Sequence, residues 1–371
     1  MDKIYYFDHA ASTPVYPAVI QEMLPYFNEK FANSESRSHL LGHLAAASVK
    51  RARKTIANAL GAEEEEIIFT SGATESINIA LQGIYKKYSP YGKHIISVRT
   101  EHKAVLDTLS HLETLGAEVT YLDCNEEGSI DLLQLDSLIR RDTILIAAMW
   151  INNETGVQHD IKKIAKLAHQ NKVPFFSDLT QGVGKLPIQL REFPIAAAAF
   201  SGHKIGGPKG IGGLYISRKD PRVQMGALTF GGNQENGIRP GTLNIPGIVG
   251  LAKATEQSRK EKLENIFALN DLLRSFFRSK GCKINGSYES NSPFILSITA
   301  PEGCFARDLF KKNPNIAFSL GSACTSASLK NSHVLLGMGR SDTEAARSFR
   351  ISINWSTAPA EVDFFIQNFQ L

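Results

Sequence analysis

The chain has 371 residues, 43% of them hydrophobic, which is enough to bury two cores and too apolar for a disordered chain. Its 41 basic residues stand against 37 acidic ones, a formal charge of +4, and so small a surplus does not point to a nucleic-acid partner. The longest purely apolar run, residues 144–151, falls far short of a membrane span, and Met1 to Thr13 lacks the apolar stretch of a signal peptide, so a soluble, cytoplasmic protein is expected.

Ile4-Tyr5-Tyr6-Phe7 reads as a short strand. The small residues after it, Asp8-His9-Ala10-Ala11-Ser12-Thr13-Pro14, suit either a tight passage near a ligand or a plain loop. Apolar residues at helical spacing mark 17–30, opened by Pro17, and 40–60, closed by Gly61. The basic cluster Lys50, Arg51, Arg53 and Lys54 falls in the second of these and reads as a solvated helix face. From residue 65 strand, turn and helix alternate, with strands at 67–70, 95–98, 119–122, 144–150, 174–176, 196–200 and 214–216 and an amphipathic helix near 160–172. That alternation predicts an α/β fold, a mostly parallel sheet with helices on both faces. Near residue 252 the pattern passes to a long charged helix, 253–280, and then to shorter elements. The expected division is a large α/β domain over 15–252 and a smaller α+β domain made of 1–14 and 253–371.

Ligands of an open parallel sheet sit beyond the carboxyl ends of its strands, so the residues just after each strand carry the argument. After 67–70 comes Ser71-Gly72-Ala73-Thr74-Glu75, which is either a phosphate cradle at a helix start or an ordinary Ser/Thr cap with an acidic first turn. Glu101-His102 follows the next strand, and Asn152-Asn153-Glu154 follows 144–150. Ser177-Asp178, with Gln181 three residues on, ends a very apolar strand, where a charge must be paired. A protonated pyridine nitrogen is one such partner; His102 offers a flat face for a ring, and Asn153 and Gln181 offer hydrogen bonds to a phenolic oxygen.

Phe200-Ser201-Gly202-His203-Lys204-Ile205-Gly206-Gly207-Pro208-Lys209-Gly210-Ile211-Gly212-Gly213 is a glycine-rich loop between two apolar runs, with one lysine at its centre. It lacks the Gly-Lys-Ser/Thr of a nucleotide phosphate loop. Either a hairpin lysine facing water or a buried lysine holding a carbonyl cofactor as a Schiff base fits it.

The four cysteines lack metal-ligand spacing, so neither a disulfide framework nor a metal site is expected and a reducing compartment fits. Cys324 stands among small polar residues in Phe318-Ser319-Leu320-Gly321-Ser322-Ala323-Cys324-Thr325-Ser326-Ala327-Ser328 and reads as a reactive thiol ahead of an ordinary loop cysteine. Cys304 beside Phe305 reads as structural, while Cys124 and Cys282 carry no assignment. Arg350 sits inside a strand pattern, where its guanidinium must grip a carboxylate, of a substrate or of the protein.

Together Ser71-Gly72-Ala73-Thr74-Glu75, Thr100-Glu101-His102-Lys103-Ala104, Asn152-Asn153-Glu154-Thr155-Gly156, Ser201-Gly202-His203-Lys204, Arg239-Pro240-Gly241-Thr242 and Gly321-Ser322-Ala323-Cys324-Thr325-Ser326 resemble the cysteine desulfurases of the class-V aminotransferase family, in the group with a long catalytic loop. The match runs in order from about Tyr6 to Arg350. The resemblance implies a fold-type I pyridoxal-phosphate transferase with a seven-stranded sheet. It implies that Lys204 carries the cofactor and shuttles protons, and that Ala73, Thr74, Ser201 and His203 bind its phosphate, joined by Thr242 from the partner of a homodimer. His102 would stack on the ring, Asp178 would hold its nitrogen protonated, and Asn153 and Gln181 would contact its oxygen. Arg350, with Asn153, would bind the carboxylate of L-cysteine, and Cys324 would attack the substrate sulfur, keep it as a persulfide and pass it to an acceptor protein while alanine leaves.

Iron-sulfur assembly, tRNA thiolation and DNA sulfur modification are the routes such an acceptor implies. The chain departs from the family pattern at Asn33-Ser34-Glu35-Ser36, which lacks the usual proline, and at Asn354-Trp355. It also stops at Leu371, soon after Arg350, where housekeeping members carry a longer tail that docks a scaffold, so a specialised acceptor is a further expectation. A selenocysteine lyase or another class-V enzyme would keep Lys204 and Asp178 without depending on Cys324, and a silent scaffold of this fold would be colourless.

Overall fold

The computed structural model describes residues 3–258, 262–320 and 331–371. The strands, in chain order, are β1 (Tyr5–Tyr6), β2 (Ile67–Thr70), β3 (His94–Val98), β4 (Glu118–Leu122), β5 (Thr143–Ala147), β6 (Phe175–Asp178), β7 (Ala197–Ser201) and β8 (Gly212–Ile216). After these come β9 (Lys283–Ile284), β10 (Ile295–Thr299), β11 (Ile316–Ala317), β12 (Ser319–Leu320) and β13 (Ser348–Ser352).

Seven strands form one sheet in the order β2, β8, β7, β6, β5, β3, β4. Only β8 runs against the rest: it is antiparallel to both β7 and β2, and two reversals return β2 to the common direction. The carboxyl ends of β2, β3, β5, β6 and β7 therefore reach one edge. A second, four-stranded antiparallel sheet has the order β12, β13, β10, β9, and β1 pairs in parallel with β11.

The large sheet is apolar on both faces because helices cover both, and its alternating side chains feed two cores. Ile96, Ile146, Phe175, Ala198 and Phe200 enter one core; Ile95, Leu145, Phe176, Ala197 and Ala199 enter the other. The helices that matter are α1 (Pro17–Met23), α2 (Pro25–Asn28), α3 (Leu40–Leu60), α4 (Ala73–Tyr88), α5 (Lys103–Thr114), α6 (Leu132–Leu138) and α7 (Ile161–Gln170). Helices α4 and α5 cover the second core with Ile77, Ile84, Val105 and Leu109, while α3 and α7 cover the first with Ile56, Leu60, Ile161 and Ile164.

The single charged helix expected over 253–280 is two helices, α8 (Ile245–Ser258) and α9 (Leu263–Ser279). Apolar side chains such as Ile248 and Leu251 bury α8, which packs along α3. Through Phe277, fully buried, α9 meets Phe349 of β13, Phe365 and Phe369 with ring centroids 5.5–5.8 Å apart. We expect Phe277→Ala to cost about 3–5 kcal/mol, because the cavity it leaves is walled by other rings that cannot collapse into it. Urea unfolding of the two proteins measures this.

Candidate active site

Ala73, Thr74, Ser201, His203 and Lys204 line a cavity of about 500 Å³ at the carboxyl edge of the large sheet. His102, Asn153, Asp178, Gln181 and Arg350 line the same cavity. Nine of these side chains come from the carboxyl ends of β2, β3, β5, β6 and β7 or the segments just after them, and β13 of the small sheet brings in Arg350.

The segment at 71–75 is an open cradle. Gly72 is the N-cap of α4 and no side chain caps the helix, so the first-turn N–H groups of Ala73 and Thr74 point at the cavity edge without an intrahelical acceptor. Gly72 holds φ at 155°, a conformation disfavoured for other residues, and a Cβ on Gly212 of β8 would lie 2.7 Å from the Gly72 Cα. The backbone can lie this close to the sheet because both positions are glycine. Glu75, which also borders the cavity, accepts a hydrogen bond from the Ser71 N–H and pairs with Arg239 at 3.0 Å.

The glycine-rich stretch is indeed a hairpin, since β7 and β8 pair antiparallel on either side of it. Its lysine does not simply face water. A one-turn helix, Gly202–Lys204, aims Lys204 at the N-terminal segment, where its Nζ donates to the carbonyls of Ala10 at 2.6 Å and Ala11 at 2.8 Å. The tight passage expected at 8–14 is therefore a wall of the cavity. His203 donates to or accepts from Ser12 Oγ at 3.3 Å, and burial, followed by the charge of Lys204, lowers its pKa to about 4.

Asp178 ends β6 buried, one oxygen accepting from the Thr180 N–H at 2.9 Å. His102 is the N-cap of α5, its Nδ1 accepting from the Ala104 N–H, which places the ring proton on Nε2. Burial lowers its pKa against the opposing pull of Asp178. Glu101 is buried beside it. Burial first, then the charge of Asp178, raises its pKa well above the carboxylate range and favours the neutral acid.

Arg350 is 1% exposed and combines the two readings of its strand position. Its guanidinium donates to Asp8 at 2.6 Å and to the Asn153 carbonyl at 2.7 Å, while it also borders the cavity; its buried Nε has no partner among the described residues. Gln181 donates through Nε2 to the Ala10 carbonyl at 2.9 Å and accepts at Oε1 from Lys185 at 2.7 Å.

Two expected residues are not brought together with these. Thr242 is exposed and does not border this cavity within one chain, and Cys324 lies outside the described residues. Two residues without an expected role stand behind the cavity lining: Asp8, which clamps Arg350, and Lys185, which donates to Gln181. Of the other cysteines, Cys282 is buried and unpaired, and burial raises its pKa to about 11.

A mostly parallel sheet that delivers a lysine, a buried aspartate and an uncapped helix start to one cavity has the architecture of the fold-type I pyridoxal-phosphate enzymes. Within that class the chain belongs to the aminotransferase class-V family, matched over residues 5–365. It is 45% identical over 367 residues to the cysteine desulfurase IscS of Neisseria meningitidis serogroup C (strain 053442), covering 97% of this chain and 89% of that one. Among solved structures it is similar to a NifS-like protein, with TM-score 0.91 and 33% identity over 99% of this chain and 98% of the other. It is also similar to SspA in complex with cysteine, with TM-score 0.86 and 36% identity over 95% and 100%. The cofactor of this family, pyridoxal phosphate, fits the cavity: the helix start at 73 is uncapped, and Lys204, buried Asp178, His102 and His203 line the same space.

Glu154 gives a pH test of the buried charge. Burial raises its pKa from 4.5 to about 7, against the hydrogen bond from Ser332 and the charge of Arg350. A carboxyl with a raised folded pKa stabilises fully below its unfolded pKa, and that contribution is lost as pH rises through the folded value. Stability should therefore fall between pH 4.5 and about 7, and Glu154→Gln should flatten that fall, as read from urea midpoints across the interval.

Proposed function

We propose that this cavity runs the desulfuration of L-cysteine, and the observation that carries the reading is the convergence of Lys204, Asp178, His102 and Arg350 on one buried space beside an open phosphate cradle. The chain is a pyridoxal-phosphate-dependent cysteine desulfurase. Bound pyridoxal phosphate supplies an electron sink for the charge left when the substrate loses its α-proton. Lys204 would hold the cofactor, and its amine, aimed from the Ala10 and Ala11 carbonyls, would take and return the proton at the substrate Cα. Of the residues that line the cavity, Ala73, Thr74, Ser201 and His203 would bind the phosphate, His102 would stack on the ring, Asp178 would keep a proton on the ring nitrogen, and Asn153 and Gln181 would meet the ring oxygen. Arg350 and Asn153 hold the substrate carboxylate, with Asp8 fixing the guanidinium until substrate arrives.

The Cys324 thiolate then forms a bond to the substrate sulfur. The carbon-sulfur bond breaks, its electron pair stays with the β-carbon, and protonation there yields alanine while Cys324 keeps the persulfide. That sulfur passes to an acceptor protein, in iron-sulfur cluster assembly or a thiolation route, in the cytoplasm. No helix among the described residues is long and apolar enough to cross a membrane.

The active unit is a homodimer in which Thr242 of each chain reaches the other's phosphate site. Support comes from the apolar side chains that one chain leaves in water, Phe27, Phe31, Leu40, Leu41 and Leu44, all on or near α2 and α3, and from the exposure of Thr242 itself.

Purified protein given L-cysteine and a reductant should release alanine, and Cys324→Ala should abolish that release; an unchanged rate in the variant removes Cys324 as nucleophile. Lys204→Ala should lose the near-visible absorbance that wild type gains with pyridoxal phosphate. Arg350→Lys should raise KM for cysteine roughly tenfold or more, because an ammonium cannot reproduce the fork that a carboxylate binds.

A further inference from the structure

Lys185 is a charge without an evident reason to be where it is. It is 4% exposed, and among the described residues no carboxylate pairs with it. Its surroundings are cationic or apolar: Lys204 and Arg350 stand close enough to add to burial in lowering its pKa to about 7, and the Phe294 ring lies 5.8 Å from its Nζ. Its charge in turn helps to keep buried His9 neutral. Among the described residues its Nζ has one hydrogen bond, to Gln181 Oε1 at 2.7 Å. A buried ammonium is costly, so its one contact is the place to look for its effect.

That contact decides which way the Gln181 amide faces. An ammonium only donates, so it must meet the amide oxygen. The Ala10 carbonyl only accepts, so it must meet the amide nitrogen, which it does at 2.9 Å. Two partners on opposite sides thus impose one orientation, and the same Ala10 carbonyl also holds Lys204 at 2.6 Å. The second N–H of Gln181 remains for the cavity. A neutral Lys185 still donates, and the Ala10 carbonyl, which can only accept, keeps the amide oxygen turned toward the lysine.

We propose that Lys185 is a positioning residue, which locks the Gln181 amide with its N–H side toward Ala10 and the cavity and so makes Gln181 an obligate donor to the ring oxygen of the bound cofactor. The proposal rests on the pyridoxal-phosphate reading and adds a residue that does not itself touch the cofactor. It predicts that Lys185 acts through Gln181.

The test is the pH midpoint at which the near-visible band of the cofactor-loaded protein changes, since a donor at the ring oxygen sets that midpoint and a purely structural lysine would not move it. Lys185→Met should shift the midpoint upward by about one pH unit, the scale of a lost directed hydrogen bond in a buried site. Gln181→Met should shift it in the same direction, and the double variant should shift no further than Gln181→Met alone. An unchanged midpoint in Lys185→Met overturns the proposal. So does a double variant that shifts by the sum of the two, which would make Lys185 act by its charge alone. Should Lys185→Met fail to fold, Lys185→Arg decides: a cavity of about 240 Å³ borders Lys185 and leaves room for a guanidinium that still donates to Oε1. A midpoint held near wild type supports the proposal, and one displaced as far as in Gln181→Met overturns it. A wild-type protein that gains no near-visible absorbance with pyridoxal phosphate overturns the cofactor reading, and the positioning role with it.

Discussion

Burial of charge is the constraint on which the site depends. Lys185, Asp178, Glu101, Glu154 and Arg350 are each less than a tenth exposed, and all lie around the carboxyl edge of one sheet. None is stable there without a partner of the right kind. Arg350 takes Asp8 and a carbonyl, Glu154 takes Ser332, Lys185 takes an amide oxygen, and Glu101 takes the Met149 N–H while burial favours its neutral form. The loops that supply these partners are held in the shapes that supply them, so the compensation of charge and the geometry of the cavity are one arrangement.

The N-terminal segment binds that arrangement together. Through β1 it pairs with β11, Asp8 bridges to Ser352 of β13, and the Ala10 N–H donates to Ser352 Oγ at 2.8 Å. From the same few residues, Ala10 and Ala11 present carbonyls to Lys204 and Gln181. A stretch of small residues is needed here because backbone, and not side chains, forms this wall. Lys204, at the edge of one sheet, is thus aimed by a segment anchored on the other, and Arg350 comes from that second sheet too.

Much of this was legible beforehand, for identifiable reasons. Strands 67–70 and 95–98 announce themselves as short apolar runs before turn residues, and the chemistry that follows each one is local in sequence. Since parallel strands share an edge, reading the residue after each strand amounts to reading the site. Three features were not local and stayed out of reach. The partners of α8 and α9, α3 for the one and Phe349 of β13 with Phe365 for the other, lie far away in sequence. The Asp8 partner of Arg350 lies 342 positions away. Lys185 reads as a surface lysine until the fold buries it.

By itself, then, the order of residues determined the α/β alternation, the lysine on its glycine-rich turn, the acid at the end of a strand and the small residues of the N-terminal passage, because each depends on neighbours within a few positions. Tertiary structure alone decided how Arg350 is shared between Asp8 and the cavity, why Lys204 points at Ala10 and Ala11, and which way the Gln181 amide faces. Those are outcomes of desolvation and of donors meeting acceptors across long chain separations, and neither exists until the two sheets have closed around the same space.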